Sequence, residues 1–215
     1  MTKMSKSEFQ VIIVGGSIGG LTLAHCLQRA GIDHIVLEKA SNPAPQIGAS
    51  VGIAPNGARV LDQLRLYDLV EEQIEPLNTA TIHYPDGYSF ETKFTKVIHE
   101  RSVVLHLILP AKGLLMALMV LHRFGYPIAF LDRQKLLEIL YQGYPDHRKI
   151  SLGERVIKVE KSGDVAIVST AKGSVYRGHL VVGADGVHSK VRQEIWNAAE
   201  KTTSRVAIEK SSKWN

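Results

Sequence analysis

Val11-Ile12-Ile13-Val14-Gly15-Gly16-Ser17-Ile18-Gly19-Gly20 is the stretch on which the fold turns. Its four β-branched residues read as a strand buried on both faces, as in a parallel sheet. A glycine-rich turn follows at once. Leu21 to Ala30 then has helical spacing through Leu21, Ala24 and Leu27, and Gly31 fits the position just past a helix end. Ile35-Val36-Leu37 reads as a second strand, and Glu38 closes it. The result is a predicted strand–helix–strand unit with an acid at the end of its second strand.

That order matches a dinucleotide-binding fingerprint. Gly15 permits the tight turn, and Gly20 lets the helix pack close to the strand. Ser17 stands where the second glycine of G-x-G-x-x-G normally lies. This departure is tolerable if its φ is negative, and its hydroxyl is in reach of a phosphate. The helix N-terminus offers backbone N–H groups and the positive end of a dipole to a pyrophosphate. Glu38 is placed to accept hydrogen bonds from an adenosine ribose. Cys26, inside the helix, reads as a small buried core residue and not as a redox group.

Leu180-Val181-Val182-Gly183-Ala184-Asp185-Gly186 is another buried strand running into a sharp turn, and Val187 to Arg192 starts a helix with Ser189 near its first turn. Phe130-Leu131-Asp132-Arg133-Gln134 precedes an apolar helix from Lys135 to Tyr141, with Asp132 as its expected N-cap. Gln46 to Gly57 is a small-residue stretch in which Pro55-Asn56-Gly57 fits the start of a helix over 58–64, and Gly52 allows close backbone approach.

The G-A-D-G-x-x-S-x-V-R motif at 183–192 resembles the "DG" motif of FAD-dependent aromatic hydroxylases and related monooxygenases. The resemblance covers residues 9–196 apart from 101–122. Within that group it runs to fungal enzymes that epoxidise or hydroxylate prenylated intermediates in meroterpenoid and indole-diterpene pathways. Gly31-Ile32-Asp33-His34-Ile35-Val36-Leu37-Glu38-Lys39 and Ile74-Glu75-Pro76-Leu77-Asn78-Thr79 carry it. It implies an α/β fold, a glutathione-reductase-type, Rossmann-like FAD-binding domain with a small β-meander, with NADPH as reductant and O₂ as oxidant. It also implies that the cofactor carries the chemistry while the protein holds and shields it. The stretch at 46–57 becomes a loop approaching the flavin, and Arg133 a donor to nucleotide phosphate or ribose oxygens. The cofactor-binding set it implies is Gly15, Ser17, Gly20, Glu38, Lys39, Gly52, Arg133 and Asp185. No catalytic acid or base is assignable, and the nine histidines show no metal-ligand spacing. The expected partner is a small molecule, a terpenoid or polyketide-terpenoid intermediate. An NAD-binding Rossmann module with another chemistry is an alternative that the DG motif and Arg133 disfavour.

Elsewhere, Thr81–Tyr84 and Tyr88–Thr92 alternate around Pro85-Asp86-Gly87, a hairpin signal. Val156–Lys161, Val165–Thr170 and Ser174–Tyr176 predict a three-stranded meander with turns at 162–164 and 172–173. The chain has 215 residues, 45% of them apolar and 22% charged, which excludes a disordered chain. One cysteine excludes an internal disulfide scaffold and a cysteine-based zinc site. The polar first ten residues show no secretory signal, so a reducing, cytoplasmic setting is the expectation. The net charge of +5 invites a nucleic-acid reading. Its location argues against one: residues 101–122 carry +2 and residues 197–215 carry another +2, leaving +1 for the other 174. No nucleic-acid partner is expected.

Those two segments also break the family pattern. By resemblance His99-Glu100 should run into Arg123-Phe124-Gly125. Three readings of 101–122 stay open: a retained 66-nucleotide intron, a membrane-inserting hairpin or span through 103–121, or a lid peculiar to this lineage. The span is weakened by Pro110 and Lys112 near its middle. Residues 197–215 read as an unstructured tail outside the family pattern. The family implies about as many residues again, with a substrate-covering sheet and a Gly-Asp flavin motif. The expectation is therefore a C-terminally truncated FAD-binding domain over 1–196 that binds FAD weakly or not at all, with a non-catalytic remnant as the alternative to an active enzyme.

Overall fold

The computed structural model describes residues 10–48, 50–76, 79–93, 126 and 128–202. They divide into two compact units, residues 1–45 with 140–215 and residues 46–139. The 101–122 segment lies outside the described residues. Among the described residues no helix is long and apolar enough to cross a membrane.

The first unit is built on a four-stranded sheet in the order β12-β1-β2-β8, parallel throughout. Its strands are β1 (Gln10–Val14), β2 (Asp33–Glu38), β8 (Ile150–Leu152) and β12 (Leu180–Gly183). Val11 to Val14 are all buried, as expected of a central strand covered on both faces. Helix α1 (Ile18–Arg29) crosses from β1 to β2 and turns Gly20, Leu21, Ala24 and His25 inward. It ends in a Schellman motif: Gly31 takes φ +69°, its N–H donates to the Gln28 carbonyl, and the Ile32 N–H donates to the Leu27 carbonyl.

The spacing that buries Leu21, Ala24 and His25 rotates the next residue outward, and Cys26 is exposed. The expectation of a core cysteine is thus corrected. The buried place at that level belongs to His25, whose Nε2–H donates to the Leu140 carbonyl at 2.8 Å.

The meander forms as read, with β9 (Val156–Ser162), β10 (Val165–Thr170) and β11 (Val175–Gly178) antiparallel in the order β11-β10-β9. Its Val168 packs with Ile12, Val14, Leu37 and Val191 in one buried cluster. Helix α5 (Lys190–Thr202) starts later than the Val187 reading and runs through residues 197–202, where the sequence pattern suggests a tail. Ala198, Ala199, Glu200 and Lys201 are strong helix formers and carry it on.

The second unit holds β3 (Ser50–Ile53), β4 (Glu75–Pro76) and β7 (Ala129–Asp132), antiparallel in the order β3-β7-β4. Residues 46–57 are therefore not one loop, because 50–53 form a strand paired with residues 129–132. Helix α2 (Pro55–Gln63) begins on the proline, α3 (Tyr67–Glu71) follows, and α4 (Arg133–Gln142) contains the boundary between the two units. The expected hairpin is β5 (Ala80–His83) with β6 (Ser89–Thr92); Gly87 is left-handed, and Asp86 Oδ1 accepts from the Tyr88 N–H.

Candidate functional site

The parallel register brings the C-terminal ends of β1, β2 and β12 side by side, the edge where ligands meet open α/β sheets. The turn after β1 is clasped there. The Gly15 N–H donates to the Leu37 carbonyl at 2.9 Å, and the Ala184 N–H donates to the Val14 carbonyl at 2.7 Å. Gly15 has φ +105°, and a Cβ on it would stand 2.4 Å from the Ala184 oxygen. A Cβ on Gly20 would stand 1.8 Å from the Gly15 oxygen, so helix and turn are in backbone contact. The crowding at both positions leaves room for glycine alone.

Glu38 completes the turn in a way the spacing did not reveal. Its Oε2 accepts from the Gly16 N–H at 2.5 Å, and its Oε1 accepts from the Ala40 N–H at 2.8 Å. Each carboxylate oxygen keeps a further lone pair. Gly16 is a site residue the sequence reading missed. A Cβ on it would lie 2.8 Å from Glu38 Cβ, and the doubled glycine at 15–16 is the signal that pointed to it. Lys39, next along, is exposed.

Two helix N-termini meet this region, and they are treated differently. On α1, Ser17 has φ −84° and ψ −167°, makes no side-chain capping bond, and no acid occupies the first turn. The negative φ meets the condition for a serine in that place. On α5 the first-turn amides are already taken. Asp185 Oδ2 accepts from Lys190 N–H at 2.6 Å and from Val191 N–H at 3.3 Å, and Ser189 Oγ accepts from Arg192 N–H at 3.0 Å. Asp185 Oδ1 is buried and makes no hydrogen bond. Backbone crowded to the limit at Gly15 and Gly20 and a helix end with no side-chain cap fit the phosphates of a nucleotide, and the orphan carboxylate oxygen fits a hydroxyl donor.

The remaining two predicted residues, Gly52 and Arg133, belong to the second unit. Arg133 opens α4 behind Asp132, whose Oδ1 caps the helix through the Gln134 N–H at 2.8 Å. Arg133 Nη1–H donates to the Ile47 carbonyl at 3.0 Å. Gly52 faces Phe130 across the β3–β7 pair, and a Cβ there would be 3.5 Å from the ring, an ordinary contact.

Behind α1 in the first unit lies a buried polar group. His34 Nδ1–H donates to the Ile32 carbonyl at 2.8 Å, so the bare Nε2 accepts from the Tyr144 hydroxyl at 2.5 Å. Burial lowers the pKa of both His25 and His34 and pushes Tyr144 up to about 12. These groups are neutral and locked between elements.

The family model described as FAD binding domain matches residues 8–211. The chain is 63% identical over 206 residues to the FAD-dependent monooxygenase janM of Penicillium janthinellum, covering 96% of this chain and 39% of that protein. It is 63% identical over 195 residues to the FAD-dependent monooxygenase paxM of Penicillium paxilli, covering 91% and 36%. HpxO of Klebsiella pneumoniae, solved with FAD and uric acid, superposes with a TM-score of 0.64 at 25% identity, over 87% of this chain and 41% of that one. The chain thus spans about two fifths of the length of the curated relatives it matches. With nearly all of its residues accounted for by that one model, the chain belongs to the FAD-binding domain family.

Proposed function

We propose that this chain supplies the nucleotide-holding part of an FAD-dependent monooxygenase that uses NADPH and O₂ to hydroxylate or epoxidise a prenylated or aromatic secondary-metabolite intermediate. The observation that carries the reading is the Gly15–Gly16–Glu38 turn at the uncapped end of α1. The α1 amides receive the pyrophosphate, with Ser17 at their mouth, and Gly15 and Gly20 keep the approach clear. Glu38, its position held by two amides, accepts from the adenosine ribose hydroxyls. Lys39 adds a cation beside the same end of the nucleotide. Asp185 holds the first amides of α5 through Oδ2 and so fixes the wall of the site beside the cofactor. Arg133 and Gly52, in the second unit, enter the cofactor-binding set on the sequence resemblance alone. When bound, FAD supplies the redox chemistry, taking electrons from NADPH and passing one oxygen atom of O₂ to the substrate. Two relatives named FAD-dependent monooxygenases at 63% identity support the reaction class, and the substrate class, a terpenoid or polyketide-terpenoid intermediate, rests on the sequence resemblance. The same reading places the protein in the cytoplasm, where an exposed lone cysteine stays reduced.

The test is titration of the purified chain with FAD, read by quenching of flavin fluorescence. The expected result is weak binding by this chain, which spans about two fifths of its relatives' length, weakened at least tenfold further by Glu38→Ala, since charge-assisted hydrogen bonds to ribose contribute about 1.5–3 kcal/mol. Binding indifferent to Glu38→Ala would overturn the assignment. NADPH oxidation in the presence of bound FAD reads the reductant half of the proposal.

A further inference from the structure

Glu154 sits in the turn between β8 and β9, in a polar stretch where an acid reads as solvated surface. It is buried, at 8% exposure. Both of its carboxylate oxygens are engaged: Oε2 accepts from the Thr170 hydroxyl at 2.6 Å, Oε1 accepts from the Ser174 hydroxyl at 3.3 Å, and the Lys172 ammonium stands 3.9 Å from Oε1. All three partners lie on or flank the β10–β11 turn. The same residue faces the other way through its backbone. The Glu154 N–H donates to the Glu38 carbonyl at 2.7 Å, and the neighbouring Gly153 N–H donates to the Ala40 carbonyl at 2.9 Å.

Residues 38–40 are therefore gripped from two sides. From above, the Glu38 side chain holds the Gly16 and Ala40 amides. From below, the 153–154 amides hold the Glu38 and Ala40 carbonyls. The Glu154 side chain is one anchor of the lower pair, beside the β2–β8 pairing and the Ala171 N–H that donates to the Arg155 carbonyl. A shift of this turn moves the Glu38 backbone, and with it the carboxylate that faces the nucleotide.

We propose that Glu154 is a positioning residue for the adenosine end of the cofactor, acting through Glu38 and touching no ligand itself. This rests on the reading of Glu38 as the ribose acceptor. A buried carboxylate paired only with one turn would serve as a structural staple, and its loss would weaken every ligand alike. A positioning role predicts a loss specific to the ribose hydroxyls.

The experiment measures dissociation constants of the full chain for ADP and for 2′,3′-dideoxy-ADP by calorimetry. The wild-type chain is expected to prefer ADP roughly tenfold. Glu154→Ala is expected to bring the ratio below about threefold. An unchanged ratio in Glu154→Ala, with both ligands weakened equally, overturns the proposal and leaves the reading of Glu38 standing. A wild-type chain that binds both ligands equally, or neither, overturns the Glu38 reading and the proposal with it. Should Glu154→Ala fail to fold, Glu154→Gln gives the same readout: a ratio at least halved supports the proposal, and an unchanged ratio overturns it.

Discussion

Gly15 bears two constraints at once, a left-handed φ of +105° and an Ala184 oxygen where a Cβ would go. Gly15→Ala should destabilise the chain by at least about 3 kcal/mol, combining backbone strain with a clash against main chain that has no room to yield. Urea denaturation with an unchanged m-value would show it as a shift of the midpoint alone. At this scale the sequence was informative wherever backbone geometry demands one residue type. Gly15, Gly20 and Ser17 were found by spacing because only small residues fit a strand-to-helix turn. Gly31 was found because a helix that ends left-handed favours glycine. Side-chain partnerships were not legible in this way. Nothing in the order of residues says that Glu38 latches Gly16 and Ala40, that His25 and not Cys26 faces inward, or that Glu154 is buried.

Among the elements, α2 and α1 end in the same motif with different residues. After α2 the Arg65 N–H donates to the Asp62 carbonyl and the Leu66 N–H to the Leu61 carbonyl. Arg65 therefore sits at φ +61°, where α1 places Gly31. A left-handed non-glycine residue costs about 1–2 kcal/mol, part of which glycine returns through its greater freedom in the unfolded chain. Arg65 is exposed. Arg65→Gly should accordingly stabilise the protein by about 0.5 kcal/mol, measurable as a rise in Tm. The elements read from the sequence with the right type were those with a strong period or apolar run: β1, β2, β12, α1, α2, the meander, the hairpin and α4. Strands β3 and β8 escaped because each is three or four residues long and rich in small or polar positions. Only their partners, β7 and β2, make strands of them.

Across the whole molecule, the neutral histidines couple folding to pH. Burial holds the folded-state pKa of His25 and His34 below the ordinary 6.5. In the unfolded chain both take up a proton near pH 6.5, while the folded chain resists. The unfolded state then binds more protons, so stability falls as pH drops below about 6.5, by up to about 1.4 kcal/mol per pH unit for each histidine until the folded-state pKa is reached. At His34 the added proton also sets an N–H against the Tyr144 hydroxyl that donates to it. Urea midpoints from pH 7.5 to 5.0 should fall steadily below 6.5, and Tyr144→Phe, which relieves that opposition, should flatten the curve. A flat curve in the wild-type chain would mean that burial does not separate the folded and unfolded pKa of either ring.

The β1–β12 pairing also governs the order in which the fold can be reached. β1 meets β2 across 23 residues, from Val11 to His34, but it meets β12 across 169, from Val11 to Leu180. A chain leaving the ribosome completes the first pair early and then carries an open strand edge, with unpaired N–H and C=O groups, through most of its synthesis. The turn after β1 closes only when Ala184 arrives to donate to Val14. A pairing this long-range makes the β1–β12 seam the last part of the sheet to form, so the nascent protein depends on protection of that edge until residues 180–183 emerge.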